Sequence, residues 1–274
     1  MNNGIHFISG LPRSGSTLLA AILRQNPRIH AEMMSPLGSI FQAMLGAVSR
    51  KNEGAMFLDE DQKHHLLTGL FDNFYHAVHP GKLVFDTNRL WCSKLPQLAR
   101  LFPDCKVVCC VRDVSWIIDS IERLAARNPF ELSALFGFDA GGTVFSRVAK
   151  LAASEGMVGF ALDALKEAFY GAEAGRLLLV EYDALVRMPR ETISHIYAFL
   201  GEPAFAHDFG NVVYDAHAFD AAMGMPGLHA VGRQVVWQER PSILPPELFA
   251  RFAHDNFWRE PQRASAATVI RYQS

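Results

Sequence analysis

The sequence predicts an α/β fold, a central parallel sheet with helices on both faces. Three observations carry this. Short apolar runs alternate with longer helical patterns along most of the chain. One run, Lys106–Val111, is apolar without polar alternation, as suits a parallel strand buried on both faces. The chain has 274 residues, 50% hydrophobic and 20% charged. That composition excludes a disordered protein, and the length allows a sizeable core.

Ile5–Ser9 reads as the first strand. A Gly/Pro/Ser loop, Gly10–Ser16, leads into a helix over 17–23 that ends near Asn26-Pro27. Helices are expected over 36–48 and 59–79. Leu83–Phe85 is a second strand, and 90–101 a helix ended by Pro103. The run to Val111 is the third strand, followed by a helix over 114–127. Residues 145–170 read as one long helix containing Gly156 and Gly159. Arg176–Val180 is a fourth strand, and 190–200 a helix stopped by Gly201. Beyond 203 the periodicity weakens, and Pro203, Pro226, Pro241 and Pro245 interrupt a stretch of glycines and aromatics. That stretch is expected to be a long ordered loop closing over a site, with a C-terminal helix within 203–274. With no linker or repeat, a single domain over 1–274 is expected, its core over about 5–200.

Lys+Arg is 26 and Asp+Glu 28, a formal net charge of -2. This argues against a dedicated nucleic-acid binder, though not against a local basic pocket. The cysteines, Cys92, Cys105, Cys109 and Cys110, form no C-x-x-C pair and read as buried reduced thiols. No leader-type segment and no membrane-length apolar run is visible, so a soluble, cytoplasmic protein is expected. His64-His65 lacks a third partner at ligand spacing, so no metal site is expected.

The strongest local signal is Gly10-Leu11-Pro12-Arg13-Ser14-Gly15-Ser16-Thr17. It lies between the first strand and the first helix, where unpaired N–H groups and the helix dipole meet an anion. Its spacing fits G-x-x-x-x-G-K-[ST], but Ser16 stands at the lysine position and the cation is Arg13. A magnesium-dependent kinase or nucleoside triphosphatase is therefore an alternative that the missing lysine weakens. A non-catalytic nucleotide-binding module is another. The second signal is Val111-Arg112-Asp113 with Ser120 eight residues after Arg112. An arginine fork and a hydroxyl on the same sheet edge can hold a second phosphate. The competing reading pairs Arg112 with Asp113 or Asp119.

Together these two motifs resemble the sulfotransferases that use 3′-phosphoadenosine-5′-phosphosulfate (PAPS). Leu101-Phe102-Pro103-Asp104 before the third strand is similar to tyrosylprotein and related bacterial sulfotransferases. The resemblance covers about residues 5–200. It implies a three-layer P-loop-like fold and sulfuryl transfer by in-line displacement to an acceptor hydroxyl or amine. Adenosine 3′,5′-bisphosphate would leave, and no metal would be required. It also implies roles. Arg13, Ser14, Gly15, Ser16 and Thr17 would grip the 5′-phosphosulfate, and Arg112 with Ser120 the 3′-phosphate. Arg89, in Asp86-Thr87-Asn88-Arg89, would supply a second cation to the sulfuryl oxygens; a structural Asp86–Arg89 ion pair is the competing reading. Glu32 would be the general base, with His30 as rival. Tyr182 would contact adenine, and Arg233 from the late loop would reach the 3′-phosphate. The acceptor, whether small molecule, carbohydrate, lipid or peptide, is not encoded in readable form, nor is the oligomeric state. Its pocket is expected from 36–79, 128–172 and the late loop.

Overall fold

The computed structural model describes residues 4–75, 78–130, 136 and 142–273. Six strands form one all-parallel sheet: β1 (Ile5–Gly10), β2 (Ile29–Ala31), β3 (Leu83–Thr87), β4 (Val107–Val111), β5 (Leu177–Glu181) and β6 (Thr268–Ile270). Their order is β2-β3-β1-β4-β5-β6. The chain leaves β1 toward β2 and β3 on one side, then crosses to β4 on the other. Loops after β1 and β4 therefore diverge, opening a crevice at the carboxyl ends of the strands.

The pleat sends alternate side chains to opposite faces. Val107, Cys109 and Val111 of β4 face one core, and Val108 and Cys110 face the other. The first core is covered by α3 (Glu60–Tyr75), α4 (Leu95–Leu101), α5 (Val114–Arg127) and α7 (Met157–Tyr170) through Phe71, Leu98, Ile117 and Leu165. The second is covered by α1 (Ser16–Leu23) and α9 (Pro189–Leu200) through Leu19, Ile22, Ile193 and Ile196. This gives the expected three layers. All four cysteines are buried and free.

Several expectations are corrected. The long helix over 145–170 is two helices, α6 (Val144–Ala152) and α7. The chain turns back so tightly that a Cβ on Gly156 would stand 2.1 Å from the Lys150 carbonyl oxygen, and one on Gly159 2.1 Å from that of Ala153. The helix over 90–101 begins as a 3-10 turn, Arg89–Lys94, before α4. A short α8 (Tyr182–Arg187) follows β5 directly. β2 and β6, each three residues long, are too short for periodicity to reveal. The C-terminal part holds β6 and the short α11 (Pro246–Ala250) in place of a substantial helix. Residues 76–77 of the helix expected over 59–79, and 131–135 and 137–141 of the expected acceptor segment, lie outside the described residues. Helix α2 (Leu37–Ala47) is as expected. Among the described residues no helix is long and apolar enough to cross a membrane.

Candidate active site

The β1–α1 loop is held by its backbone. Gly10 has φ 103°, and a Cβ there would lie 2.2 Å from the Cys110 carbonyl oxygen of the neighbouring strand. Gly15 has φ 99°, at the start of α1. Arg13 is the one described non-glycine residue with positive φ, 55°, a conformation that costs free energy unless its surroundings enforce it. The Ser14 hydroxyl is turned inward onto the carbonyl oxygens of Leu11 and Cys110, the latter at 2.8 Å. Its side chain thus fastens the turn and does not face the cleft, a correction to its expected role. No side chain caps α1, so the N–H groups at its start remain available to an anion.

The crevice is a cleft of about 340 Å³ lined by Arg13, Gly15, Ser16, Thr17, Arg89, Arg112 and Tyr182. Arg13 extends across it: its Nε–H donates to the Ser120 hydroxyl on α5 at 3.1 Å. Arg112, at the end of β4, donates to the Arg13 carbonyl oxygen at 3.5 Å and stacks over the Tyr182 ring at 4.3 Å. Burial, then the charge of Arg112, lowers the Arg13 pKa to about 10, so it stays protonated at neutral pH. Burial lowers Arg112 as well.

Among the described residues none of the three competing ion pairs forms. Asp113 caps α5, accepts from Asn256 Nδ2 at 2.9 Å and pairs with Arg259 at 3.6 Å. Asp119 is taken by Arg123 at 2.9 Å and Arg240 at 3.0 Å. Asp86 lies beneath the sheet edge, accepting from Ser35, Tyr75 (2.6 Å) and Trp91 (2.8 Å), and burial raises its pKa. Arg89 is therefore left open to the cleft, and desolvation by the surrounding protein lowers its pKa. Arg13, Arg89 and Arg112 have no carboxylate hydrogen-bond partner among the described residues.

Residues 203–245 are mostly irregular, with one short helix, α10 (His217–Ala222). The segment is pinned as a strap. The Val212 N–H donates to the Arg233 carbonyl oxygen at 2.8 Å, and Arg187 of α8 stacks on Trp237 at 3.9 Å. Asp119 of α5 accepts from Ser242 and from the Ile243 N–H. The strap delivers Phe219, Met223, His229 and Gln234 to the cleft. His229 Nδ1 pairs with the buried Asp220 carboxylate at 2.6 Å, and the His229 backbone N–H donates to the other oxygen at 2.8 Å. With Nδ1 so engaged, Nε2 is the ring nitrogen left for other chemistry. The His229 pKa is lowered by burial first; Asp220 opposes this, and the charges of Arg13 and Arg89 add to it.

Sequence reasoning put Arg13, Arg112, Ser120 and Tyr182 at one edge, and the structure brings all four together there, with Ser120 beneath Arg13. Glu32 is placed elsewhere: paired with Arg24 at 3.3 Å and accepting from Tyr214 at 2.6 Å, it is not among the cleft-lining residues. His30 also lies off the lining, stacked on His79 at 3.7 Å, its pKa lowered to about 4 by burial and by His79. Arg233 points outward onto Asn211 at 2.8 Å. The residue missed is His229, four positions before Arg233. The spacing of Asp220 and His229 in sequence carries no recognisable pattern. Among the described residues no cluster of three or more His, Cys, Asp or Glu forms that could hold a metal.

A parallel sheet with a glycine-rich loop after its central strand, and arginines gathered above it, defines a P-loop-like group-transfer protein. Residues 6–207 match the Sulfotransferase family, and the chain belongs to that family. A sulfotransferase domain from the curacin biosynthetic pathway shares the fold, with TM-score 0.58 and 16% identity over 91% of this chain and 96% of that one. Weaker similarity extends to a sulfotransferase domain from the Synechococcus PCC 7002 olefin synthase (TM-score 0.45, 20% identity, 92% and 95% covered). It extends also to a sulfotransferase from Alicyclobacillus acidocaldarius (TM-score 0.47, 17% identity, 74% and 83% covered). No curated protein sequence matches the chain. The affinity to the tyrosylprotein branch stands as a resemblance only.

Proposed function

We propose that this sulfotransferase takes its sulfuryl group from PAPS and passes it to an acceptor hydroxyl. The observation that carries the reading is the convergence of Arg13, Arg112 and Ser120 beside the uncapped start of α1. The N–H groups of Gly15 to Thr17 suit the 5′-phosphosulfate. Arg112 and Ser120 suit the 3′-phosphate, and Tyr182 offers adenine a ring face. Arg13 stands between the two anions and serves both. Ser16 at the lysine position fits a donor bound without Mg²⁺ between its phosphates.

Arg89, which lines the same cleft, neutralises the sulfuryl oxygens in this reading. His229 is the base in this reading. Asp220 holds Nδ1–H, so Nε2 receives the acceptor's proton. As the acceptor oxygen–sulfur bond forms, the bond from sulfur to the 5′-phosphate oxygen breaks, and the bisphosphate leaves with the electron pair. Glu32, engaged by Arg24 and Tyr214, takes a positioning role for the segment after β2. Catalysis rests on alignment and on charge stabilisation.

Thermal unfolding with adenosine 3′,5′-bisphosphate tests the donor. At a ligand concentration 100 times Kd, the protein gains about 2.7 kcal/mol. ATP with Mg²⁺ gives a smaller shift. Stabilisation by Mg-ATP alone overturns the reading in favour of a kinase or triphosphatase.

A further inference from the structure

The two ends of the cleft differ in chemistry, and the sheet order separates them. The β4–β5 side carries Arg112 and Tyr182. The β2–β3 side carries Met33, Met34 and Arg89, and the same cleft is lined by Met223 and Phe219 of the strap and by Met157 at the start of α7. If the donor occupies the arginine–tyrosine end, the acceptor enters from the methionine end. No Asp, Glu or Lys lines any part of the cleft among the described residues. The acceptor wall thus offers no counter-ion to an ammonium group.

We infer that the acceptor is an alcohol on a flexible aliphatic body, a lipid-like alcohol, with its hydroxyl directed toward His229 and Arg89; this rests on the donor reading above. Four methionines make the wall deformable, which suits chains of varied shape better than one rigid outline. Phe219 packs edge-on against the His229 ring at 5.5 Å, so apolar surface reaches the base itself. Met34 itself is 41% exposed, and Ile40, in the first turn of α2, is 42% exposed. A cationic amine would face Arg13 and Arg89 with no carboxylate to offset them.

Calorimetric titration of the full chain with 1-octanol, octylamine, phenol and methyl glucoside, with and without adenosine 3′,5′-bisphosphate, tests this. Octanol binds at least tenfold tighter than each of the others. Met34→Glu, at a half-exposed position the fold tolerates, weakens octanol at least tenfold and leaves the bisphosphate within twofold. Tighter binding of octylamine, phenol or the glucoside, or an unchanged octanol affinity in Met34→Glu, overturns the inference. Failure of the bisphosphate to bind overturns the donor reading instead, and the comparison among acceptors without it still decides the inference.

Discussion

The two halves of the site are built by different means. The half proposed for the donor consists of strand ends: the loop after β1, Arg112 one residue beyond β4 and Tyr182 directly after β5. Backbone hydrogen bonds of the sheet place these groups, and glycines at positive φ hold the turn. The half proposed for the acceptor is assembled at long range. His229 arrives on a strap with little regular structure, oriented by the Asp220 carboxylate and by the strap's pins to α5 and α8. A site half made of strand ends is formed once the sheet forms. A half made by a strap depends on side-chain contacts that can be lost one at a time, so changes in the two halves have separable consequences.

The largest effect belongs to the loop. Gly10→Ala forces a Cβ into the Cys110 carbonyl at a φ that only glycine adopts freely, and it destabilises the protein by about 3 kcal/mol or more. Urea unfolding checks this, and a loss below about 1 kcal/mol breaks the claim that the turn is locked by its backbone. Next is His229→Asn, which lowers kcat by roughly 10²–10³ with bisphosphate affinity unchanged. In the proposed mechanism the neutral imidazole is the active form. Because burial holds its pKa below the usual value, kcat is level at neutral pH and falls only as acid protonates the ring. Asp220→Asn removes the group that raises that pKa, so the acid limb moves to lower pH while the plateau drops. A limb moving upward contradicts the assignment.

Arg13→Ala comes third in free energy. It removes the charged group proposed to serve both anions and is expected to weaken bisphosphate binding by about 100-fold, read by calorimetry. A change under tenfold separates Arg13 from the donor half. The smallest effect is that of Glu32→Gln, whose ion pair with Arg24 is exposed and contributes under about 0.5 kcal/mol. Its kcat stays within threefold of wild type, whereas a loss comparable to that of His229→Asn would return the base to Glu32.

How far sequence patterns reach follows the same division. β1, β3, β4 and β5 are readable because each carries a run of buried apolar residues, and the loop after β1 because its glycines, hydroxyls and arginine sit between a strand and a helix. β2 and β6 leave no such trace, being short edge strands whose pairing is decided by neighbours far along the chain. The break between α6 and α7 depends on a close backbone approach at Gly156, visible only once the turn exists. Glu32 and Arg233 are of the right chemical type at plausible positions, yet Arg24, Tyr214 and Asn211 engage them.

The local order of residues alone determined the layered α/β architecture, the glycine-rich turn after β1 and the arginines and hydroxyls of one sheet edge, because each follows from periodicity or from groups fixed to a strand end. Only the tertiary structure decided that Asp86 is enclosed and Arg89 left open, that Ser14 faces inward, and that His229 meets Asp220 beside the arginines. Those outcomes depend on which partner is nearest in space, and in a strap that is set by contacts with helices distant in sequence.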